Sequence, residues 1–190
     1  MKFIKKNLLI IALLTVSSFA FGKAAYIQAK AQVAQYLLQD AWEKTLIDQK
    51  PHQPWSWADT FPIAKLSIPT TNIERLVLSG ASGRNLAFGP GLLLSSDSPE
   101  RKGYTIIGGH RDTHFEFLQD LIIGQKIEIE DKYGEKHSYQ ITATEVHNIE
   151  TDSIIDRGAD QLTLVTCYPF NTIETGGPLR YLVHAKKLTT

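Results

Sequence analysis

Gln161-Leu162-Thr163-Leu164-Val165-Thr166-Cys167-Tyr168-Pro169 is the stretch that decides the fold, and it contains the single cysteine of the protein. Leu, Val and Thr dominate residues 161–166, which predicts a β-strand. Pro169 cannot donate a hydrogen bond to a sheet, so the strand should end near Cys167. The sequence therefore places a thiol at the end of a strand, where a substrate can reach it. A buried, inert cysteine is the competing interpretation, since free cysteine is commonly buried.

Two other residues of complementary chemistry are also expected at strand ends. His110 follows the run 104–109, in which four largely apolar residues precede two glycines that permit close backbone approach. Arg180 begins the strand-like run 180–185, directly after a turn rich in glycine and proline. A hairpin between the cysteine strand and this last strand would bring Arg180 back toward Cys167.

The rest of the chain predicts short strands at regular spacing. Alternating or β-branched runs separated by turn formers predict strands at 63–68, 73–78, 104–109, 126–130, 137–146, 161–166 and 180–185. The stretch 80–91 predicts a crossover, 115–121 a short helix or turn, and 151–160 a polar connection. We therefore expect a mostly β protein, a closed β-barrel of seven to eight strands with short helices, preceded by an N-terminal helix.

Composition bounds the class of protein. A chain of 190 residues accommodates one domain plus an extension. Lys and Arg total 20, as do Asp and Glu, and this zero net charge argues against a nucleic-acid partner. A hydrophobic content of 43% supports a real core. One cysteine excludes an internal disulfide and suits a catalytic thiol that must stay free.

Residues 1–22 are predicted to be a membrane anchor or a signal segment. Three lysines precede an uncharged run over 7–22, which would span roughly 24 Å as a helix, short of the ~30 Å hydrocarbon core. An uncleaved anchor that continues past Lys23 is the preferred interpretation. A cleaved signal peptide with a small-x-small site at 20–22 is the alternative. The basic N-terminus predicts that the following domain lies outside the cytoplasm.

Residues 23–50 are predicted to form a juxtamembrane helix and a linker. Apolar residues follow a helical period over 24–47, which predicts a helix that packs on the domain; they are Ile27, Ala31, Ala34, Leu38, Ala41 and Trp42. Pro51 and Pro54 then break the chain and mark the start of a catalytic domain over 51–190.

Taken together, the three strand-end motifs resemble the sortase family. Thr163-Leu164-Val165-Thr166-Cys167 is similar to the family signature Thr-Leu-x-Thr-Cys. Residues 104–115 are similar to the family's histidine segment, and Arg180 falls where the family's arginine falls. The similarity covers about residues 60–188. The short form with one N-terminal anchor is similar to the single-domain sortases of Gram-negative bacteria.

The resemblance implies a cysteine transpeptidase with a closed sortase-like barrel. Cys167 is then the nucleophile that forms a thioester, and His110 is the general acid and base. Arg180 stabilises the carbonyl oxygen as it gains charge and helps hold the substrate. Thr166, or the backbone N–H of the residue after Cys167, is a further candidate donor to the substrate. This chemistry calls for no cofactor and no metal.

The resemblance also implies the partners. They are a secreted protein with a C-terminal Leu-Pro-x-Thr-Gly-like sorting signal, an amine acceptor that the sequence does not identify, and the inner membrane, with the catalytic domain on its periplasmic side. Two other functions compete with transpeptidation. One is a hydrolytic cysteine peptidase, and the other is a membrane-tethered β-barrel binding module with an inert cysteine.

Four weaker features lie near the motifs. His114 follows His110 by four residues, but the metalloprotease glutamate is missing between them, which disfavours a zinc site. Asp112 is a candidate to orient His110, although a solvated loop residue is favoured. Arg111 is the substitute for Arg180 and ranks below it. The carboxylates of the loop 95–100 lack the spacing of a calcium loop.

Overall fold

The computed structural model describes residues 2–93, 96–98, 100, 103–151, 160–172 and 176–188. The chain divides into two compact units, Met1–Tyr36 and Leu37–Thr190, and the boundary falls inside the first helix. The unit that contains the barrel therefore begins before the proline pair at 51 and 54.

Helix α1 spans Lys2–Asp48, so the helix predicted over 24–47 is part of a longer one. From Ile10 onward α1 is long and apolar enough to cross a membrane, a property that a signal sequence shares. Its last turns belong to the barrel unit, where they bury Leu38, Ala41 and Trp42. Ile27 and Ala31 are exposed, so the N-terminal part of the predicted apolar stripe is not packed against protein.

Eight strands form the second unit. They are β1 (Pro62–Ile68), β2 (Ile73–Ser79), β3 (Gly91–Leu92), β4 (Tyr104–Gly108), β5 (Lys126–Asp131), β6 (Lys136–Asn148), β7 (Gln161–Cys167) and β8 (Leu179–Lys187). They close into a barrel in the order β1-β2-β3-β4-β7-β8-β6-β5, which confirms the predicted closed β-barrel. The pairs β2–β3 and β4–β7 are parallel, and the others are antiparallel.

The alternation in the strands explains the core. In β1 every second residue is buried, and β5 repeats this pattern, so each strand gives one face to the interior. The parallel partners β4 and β7 are buried over most of their lengths. The interior is apolar, with buried residues that include Leu66, Ile68, Ile107, Ile129, Leu164 and Val183.

The stretch 80–91 differs from the predicted plain crossover. It contains a four-residue helix, α2 (Gly83–Leu86), whose first turn is capped by the Ser82 side chain, and it ends in β3. A strand of two residues is too short to produce an alternating pattern, which is why it was not predicted. A 3-10 helix over Glu116–Asp120 fills the position of the predicted short helix. Most of the predicted connection 151–160 and part of the loop 95–100 lie outside the described residues.

Candidate active site

Cys167 is the last residue of β7, and its half-exposed thiol is free. Along β7, Leu162 and Leu164 face the barrel core. Because side chains alternate along a strand, Thr166 shares their inner face, and Cys167 lies on the outer face with Val165. The thiol is therefore presented on the outside of the barrel, which removes the interpretation of an entombed cysteine.

Arg180 lies directly opposite Cys167 in the antiparallel β7–β8 pair. Residues in this relation carry their side chains on the same face of the sheet, with Cβ atoms about 4.5–5.5 Å apart. The Arg180 guanidinium donates from Nη1 to the carbonyls of Gly177, at 2.7 Å, and of Leu179, at 2.8 Å. The predicted hairpin thus returns the arginine to the cysteine, with Nη1 turned along the preceding loop.

His110 follows β4, the strand that pairs in parallel with β7. The parallel β4–β7 register pairs Gly108 with Val165, and the Gly109 N–H donates to the Val165 carbonyl at 3.0 Å. β4 ends at Gly108, and the same register extended by two residues predicts His110 beside Cys167. His110 is exposed, so its imidazole is accessible to substrate. The three residues predicted from strand ends therefore come from neighbouring strands in the order β4, β7, β8.

Thr166 requires a correction, because its side chain is not available to a substrate. Its hydroxyl is buried and donates to the Gly109 carbonyl at 2.7 Å. The backbone N–H after Cys167 is also engaged, since Tyr168 N donates to the Leu179 carbonyl at 3.1 Å. The two additional donors considered from the sequence thus hold the backbone around the site, and Thr166 fixes the residue that precedes His110.

The other signature threonine also links strands. The hydroxyl of Thr163 lies 2.9 Å from the Tyr104 hydroxyl on β4 and 2.8 Å from Nδ1 of His184 on β8. Nε2 of His184 lies 3.1 Å from a Glu145 carboxylate oxygen on β6. This polar chain crosses four strands and leaves His184 buried, with a partner within hydrogen-bond distance of each ring nitrogen. The pairing could have been found from the sequence, because a β7–β8 hairpin sets Thr163 opposite His184.

The segment after His110 is a turn rather than a helix, and residues 111–115 are named the histidine turn here. The Phe115 N–H donates to the His110 carbonyl at 2.9 Å and closes it. Phe115 is fully buried, and its ring passes so close to Gly109 that a Cβ there would lie 2.7 Å from it. Because the turn is not helical, His110 and His114 do not share a helix face as a four-residue spacing requires.

His114 has a pKa below its ordinary value of 6.5. Burial is the largest cause, and the nearby charge of Arg75 adds to it. A hydrogen bond with the Ala87 backbone opposes the shift, while His110 and Asp112 make smaller contributions of opposite sign. The histidine turn therefore favours a neutral His114 next to the exposed His110.

The segment that follows Cys167, residues 168–172, is named the post-cysteine segment here. Tyr168 and Phe170 form a ring cluster with Tyr181 of β8, with centroids 5.3 to 6.3 Å apart. Arg111 of the histidine turn donates from Nη1 to the Pro169 carbonyl at 2.9 Å and from Nη2 to the Thr172 carbonyl at 3.1 Å. Arg111 is thus directed at this segment and does not take the position of Arg180 opposite Cys167.

One group of metal-binding side chains lies at the β5–β6 hairpin, away from the three residues above; it contains Asp131, Glu135 and His137. The buried carboxylate of Asp131 is already engaged. Its Oδ1 accepts from the N–H groups of Tyr133 and Glu135, and its Oδ2 lies 2.7 Å from Nε2 of His137. Closure of the hairpin explains this cluster without an ion.

Comparisons with known proteins agree with the geometry. A family model described as the sortase domain matches residues 66–188. Sortase D of Bacillus subtilis (strain 168) is 32% identical over 126 residues, which are 65% of this chain and 63% of that relative. The matched part thus spans somewhat less than two thirds of that relative's length.

Solved structures share the fold. The sortase D5 transpeptidase of Clostridium perfringens aligns with a TM-score of 0.64 at 22% identity, over 83% of this chain and 99% of that one. A lid mutant of sortase A from Corynebacterium diphtheriae aligns with a TM-score of 0.61 at 24% identity, over 88% of this chain and 96% of that one. By the extent of its match to the family model, this chain belongs to the sortase family.

Proposed function

We propose that the protein is a cysteine transpeptidase that cleaves a sorting signal and joins the acyl fragment to an amine. The observation that carries this proposal is the strand register, which pairs Cys167 with Arg180 in β7–β8 and runs β4, the strand that leads to His110, parallel to β7. Family membership supports the same reaction, since the Clostridium perfringens relative is described as a transpeptidase.

In the first half of the reaction, the thiolate of Cys167 attacks the carbonyl carbon of the scissile peptide bond. A positive charge on His110 or Arg180 favours the thiolate over the thiol. Arg180 donates hydrogen bonds to the carbonyl oxygen as it becomes an oxyanion. Because its Nη1 already meets two carbonyls, the donors left for this role are on Nη2 and Nε. The carbon–nitrogen bond then breaks, and protonated His110 gives its proton to the leaving amine.

In the second half, an acceptor amine attacks the thioester. His110, now neutral, removes a proton from the amine, and the carbon–sulfur bond breaks to release Cys167. The product is a new amide, and the enzyme returns to its starting protonation state. Attack by water in place of the amine gives a carboxylic acid, which is the outcome that a hydrolytic peptidase produces.

The proposed substrate is a secreted protein with a Leu-Pro-x-Thr-Gly-like signal, and the acceptor is an amine. We also propose that α1 anchors the protein in the inner membrane, with the barrel on the periplasmic side, as in single-domain sortases of Gram-negative bacteria. The exposed apolar side chains of α1 support an anchor. The subtype rests on the single N-terminal helix and the single barrel, and the relatives named above, from Bacillus, Clostridium and Corynebacterium, add no support for it.

The test is a transpeptidation assay with the purified chain, a Leu-Pro-x-Thr-Gly-containing peptide and a small amine, followed by mass spectrometry. We expect the amide product and a thioester on Cys167 that can be trapped in the absence of amine. Hydrolysed acid without amide at saturating amine would reject transpeptidation in favour of a peptidase.

Three variants test the assigned roles. We expect Cys167→Ala and His110→Ala to abolish most turnover while the barrel stays folded. Arg180→Gln should lower kcat by roughly 100-fold, the loss typical of one oxyanion donor. Unchanged turnover in Cys167→Ala would instead support a binding module with an inert cysteine.

A further inference from the structure

Arg111 connects the two segments that leave the proposed catalytic residues. It follows His110 directly, and its guanidinium donates to the carbonyls of Pro169 and Thr172, two and five residues after Cys167. Planar guanidinium nitrogens offer their N–H groups in a fixed fork, so two acceptors on one chain segment fix its position as well as its distance. The contact therefore links the segment that follows His110 to the segment that follows Cys167.

The post-cysteine segment contacts β8 on its barrel side and the histidine turn on the other. The rings of Tyr168 and Phe170 pack on Tyr181, which anchors the segment to β8. The Nδ2 amide of Asn171 donates to Oε1 of Gln119, a residue of the 3-10 helix, at 3.2 Å. The two bonds from Arg111 are the charge-assisted part of this contact, and hydrogen bonds with an ionised donor are the stronger kind.

A cavity of about 220 Å³ lies at the same junction. Its lining combines residues of the histidine turn, the 3-10 helix and the post-cysteine segment; they are Arg111, Asp112, Glu116, Gln119, Phe170, Asn171 and Thr172. Because a space lies between the segments, they do not pack directly against each other around it, and the Arg111 bonds contribute to holding them together. Side-chain hydrogen bonds therefore set the separation of the two segments.

The hydrogen-bond partners of Arg111 indicate that it positions the post-cysteine segment and does not supply charge to the Cys167 thiol. Both guanidinium nitrogens with described bonds point at backbone carbonyls, and two carboxylates line the cavity next to the same side chain. Arg180, by contrast, lies directly opposite Cys167 in the sheet register and is the residue assigned to the developing charge in the proposed reaction.

We propose that Arg111 is a positioning residue: its two hydrogen bonds hold the post-cysteine segment against the histidine turn and so keep the imidazole of His110 aligned with the thiol of Cys167. This inference rests on the proposed function, in which the thiolate attacks the substrate carbonyl while the imidazole gives a proton to the leaving amine. An error of about 1 Å in such an alignment can cost roughly 100-fold in rate.

The test uses the full chain with Arg111→Gln and Arg111→Lys, and with Arg84→Gln as the matched control. Arg84 makes a single bond to Asp59 on the surface, at 3.1 Å. Three measurements are made: hydrogen exchange of residues 168–172, the pH dependence of Cys167 alkylation by iodoacetamide, and kcat and KM for the sorting peptide. The first two need no substrate, so they judge the positioning role even if the proposed function fails.

For Arg111→Gln we expect faster exchange in the post-cysteine segment, an unchanged pH midpoint of alkylation, and a kcat roughly 10- to 100-fold lower with KM within about twofold. Arg111→Lys should recover only part of kcat, because one ammonium cannot reproduce the guanidinium fork. Arg84→Gln should match the wild type in all three measurements.

Three results would overturn the positioning role. Full recovery of kcat by Arg111→Lys would mean that charge alone is needed. A raised alkylation midpoint in Arg111→Gln would make Arg111 an electrostatic partner of the thiol. Unchanged hydrogen exchange at 168–172 in both variants would show that the two bonds do not hold the segment. Rejection of the proposed function is a separate result, and it would be recognised by unchanged turnover in the Cys167→Ala variant.

Discussion

Thr166 and Gly109 fix the position of His110 without touching the reacting atoms. Thr166 holds the carbonyl of Gly109 from β7, and Gly109 leaves room for the ring of Phe115 beneath the histidine turn. Both residues belong to the motifs that identified the site, yet their contacts are with protein alone. At this scale, a signature residue next to a nucleophile serves the geometry of its neighbour.

The first prediction concerns the hydroxyl of Thr166. Thr166→Val keeps the shape of the side chain but leaves the buried Gly109 carbonyl without its donor, which costs about 1–3 kcal/mol. We expect the free energy of unfolding in urea to fall by that amount and kcat to fall by roughly tenfold as His110 shifts. Thr142→Val is the control, because Thr142 is an exposed residue whose hydroxyl donates to the His184 carbonyl across β6–β8 at the longer distance of 3.3 Å. Equal stability and turnover in both variants would contradict the prediction.

The second prediction concerns the space beside Gly109. A Cβ at this position lies 2.7 Å from the fully buried Phe115 ring, so Gly109→Ala must displace either the ring or β4. We expect a loss of about 1–3 kcal/mol in thermal unfolding, the usual cost of overpacking, together with reduced turnover. Gly83→Ala is the matched control, since a Cβ there meets nothing within 4 Å and the residue lies in α2. A wild-type melting temperature in Gly109→Ala would show that the ring adapts freely.

At the scale of elements, the histidine turn makes the stability of the fold depend on pH. The pKa of His114 is lower in the folded chain than in the unfolded chain. As the pH falls, the unfolded chain therefore binds the proton at a higher pH than the folded chain does. Its contribution to stability is therefore complete above pH 6.5 and is lost as the pH falls through the lower folded value. The sign follows from burial and Arg75, both of which disfavour the charged imidazole.

The third prediction tests this coupling with His114→Gln, which removes the titrating group and keeps a polar side chain. Between about pH 7 and about pH 5 we expect the melting temperature of the variant to fall less than that of the wild type. The measurement is thermal unfolding by circular dichroism at a series of pH values. Parallel curves for the two proteins over this range would show that His114 does not contribute to acid sensitivity.

Elements were predictable from the sequence where a pattern extends over several residues. β1 and β5 alternate over six or seven residues, and the buried run of β7 ends at a proline, so their positions and the location of Cys167 followed directly. β3 has two residues and α2 has four, which is too short for any periodicity to be visible.

The site was predictable only in part, for a related reason. Cys167 and Arg180 lie at strand ends and His110 lies just beyond one, and strand ends follow from local sequence patterns, whereas the parallel pairing of β4 with β7 joins distant parts of the chain. The bonds from Arg111 to Pro169 and Thr172 join residues 58 and 61 positions apart through two irregular segments. The alternation of side chains along β7 already predicts that Thr166 faces the interior. The predicted contact between its side chain and a substrate does not agree with that alternation.

The whole molecule combines a long helix with a barrel, and the compact unit that holds the barrel begins within that helix. Residues 37–48 bring Leu38, Ala41 and Trp42 to nearly complete burial. A catalytic domain taken from residue 51 onward, as the proline pair predicts, lacks these side chains. The surface that they cover would then face water.

The fourth prediction compares chains that begin at residue 37 and at residue 51. Trp42 is 1% exposed, and removing a buried tryptophan side chain typically costs about 3–5 kcal/mol, so we expect the shorter chain to melt at a lower temperature and to bind the dye ANS. A chain that begins at residue 23 serves as the control and should melt like the one that begins at residue 37. The point variant Trp42→Ala in the longest chain should reproduce most of the loss, because it removes the same contact without cutting the helix. If the chains from 37 and 51 melt together, the last turns of α1 are a linker to the barrel and not part of its stable unit.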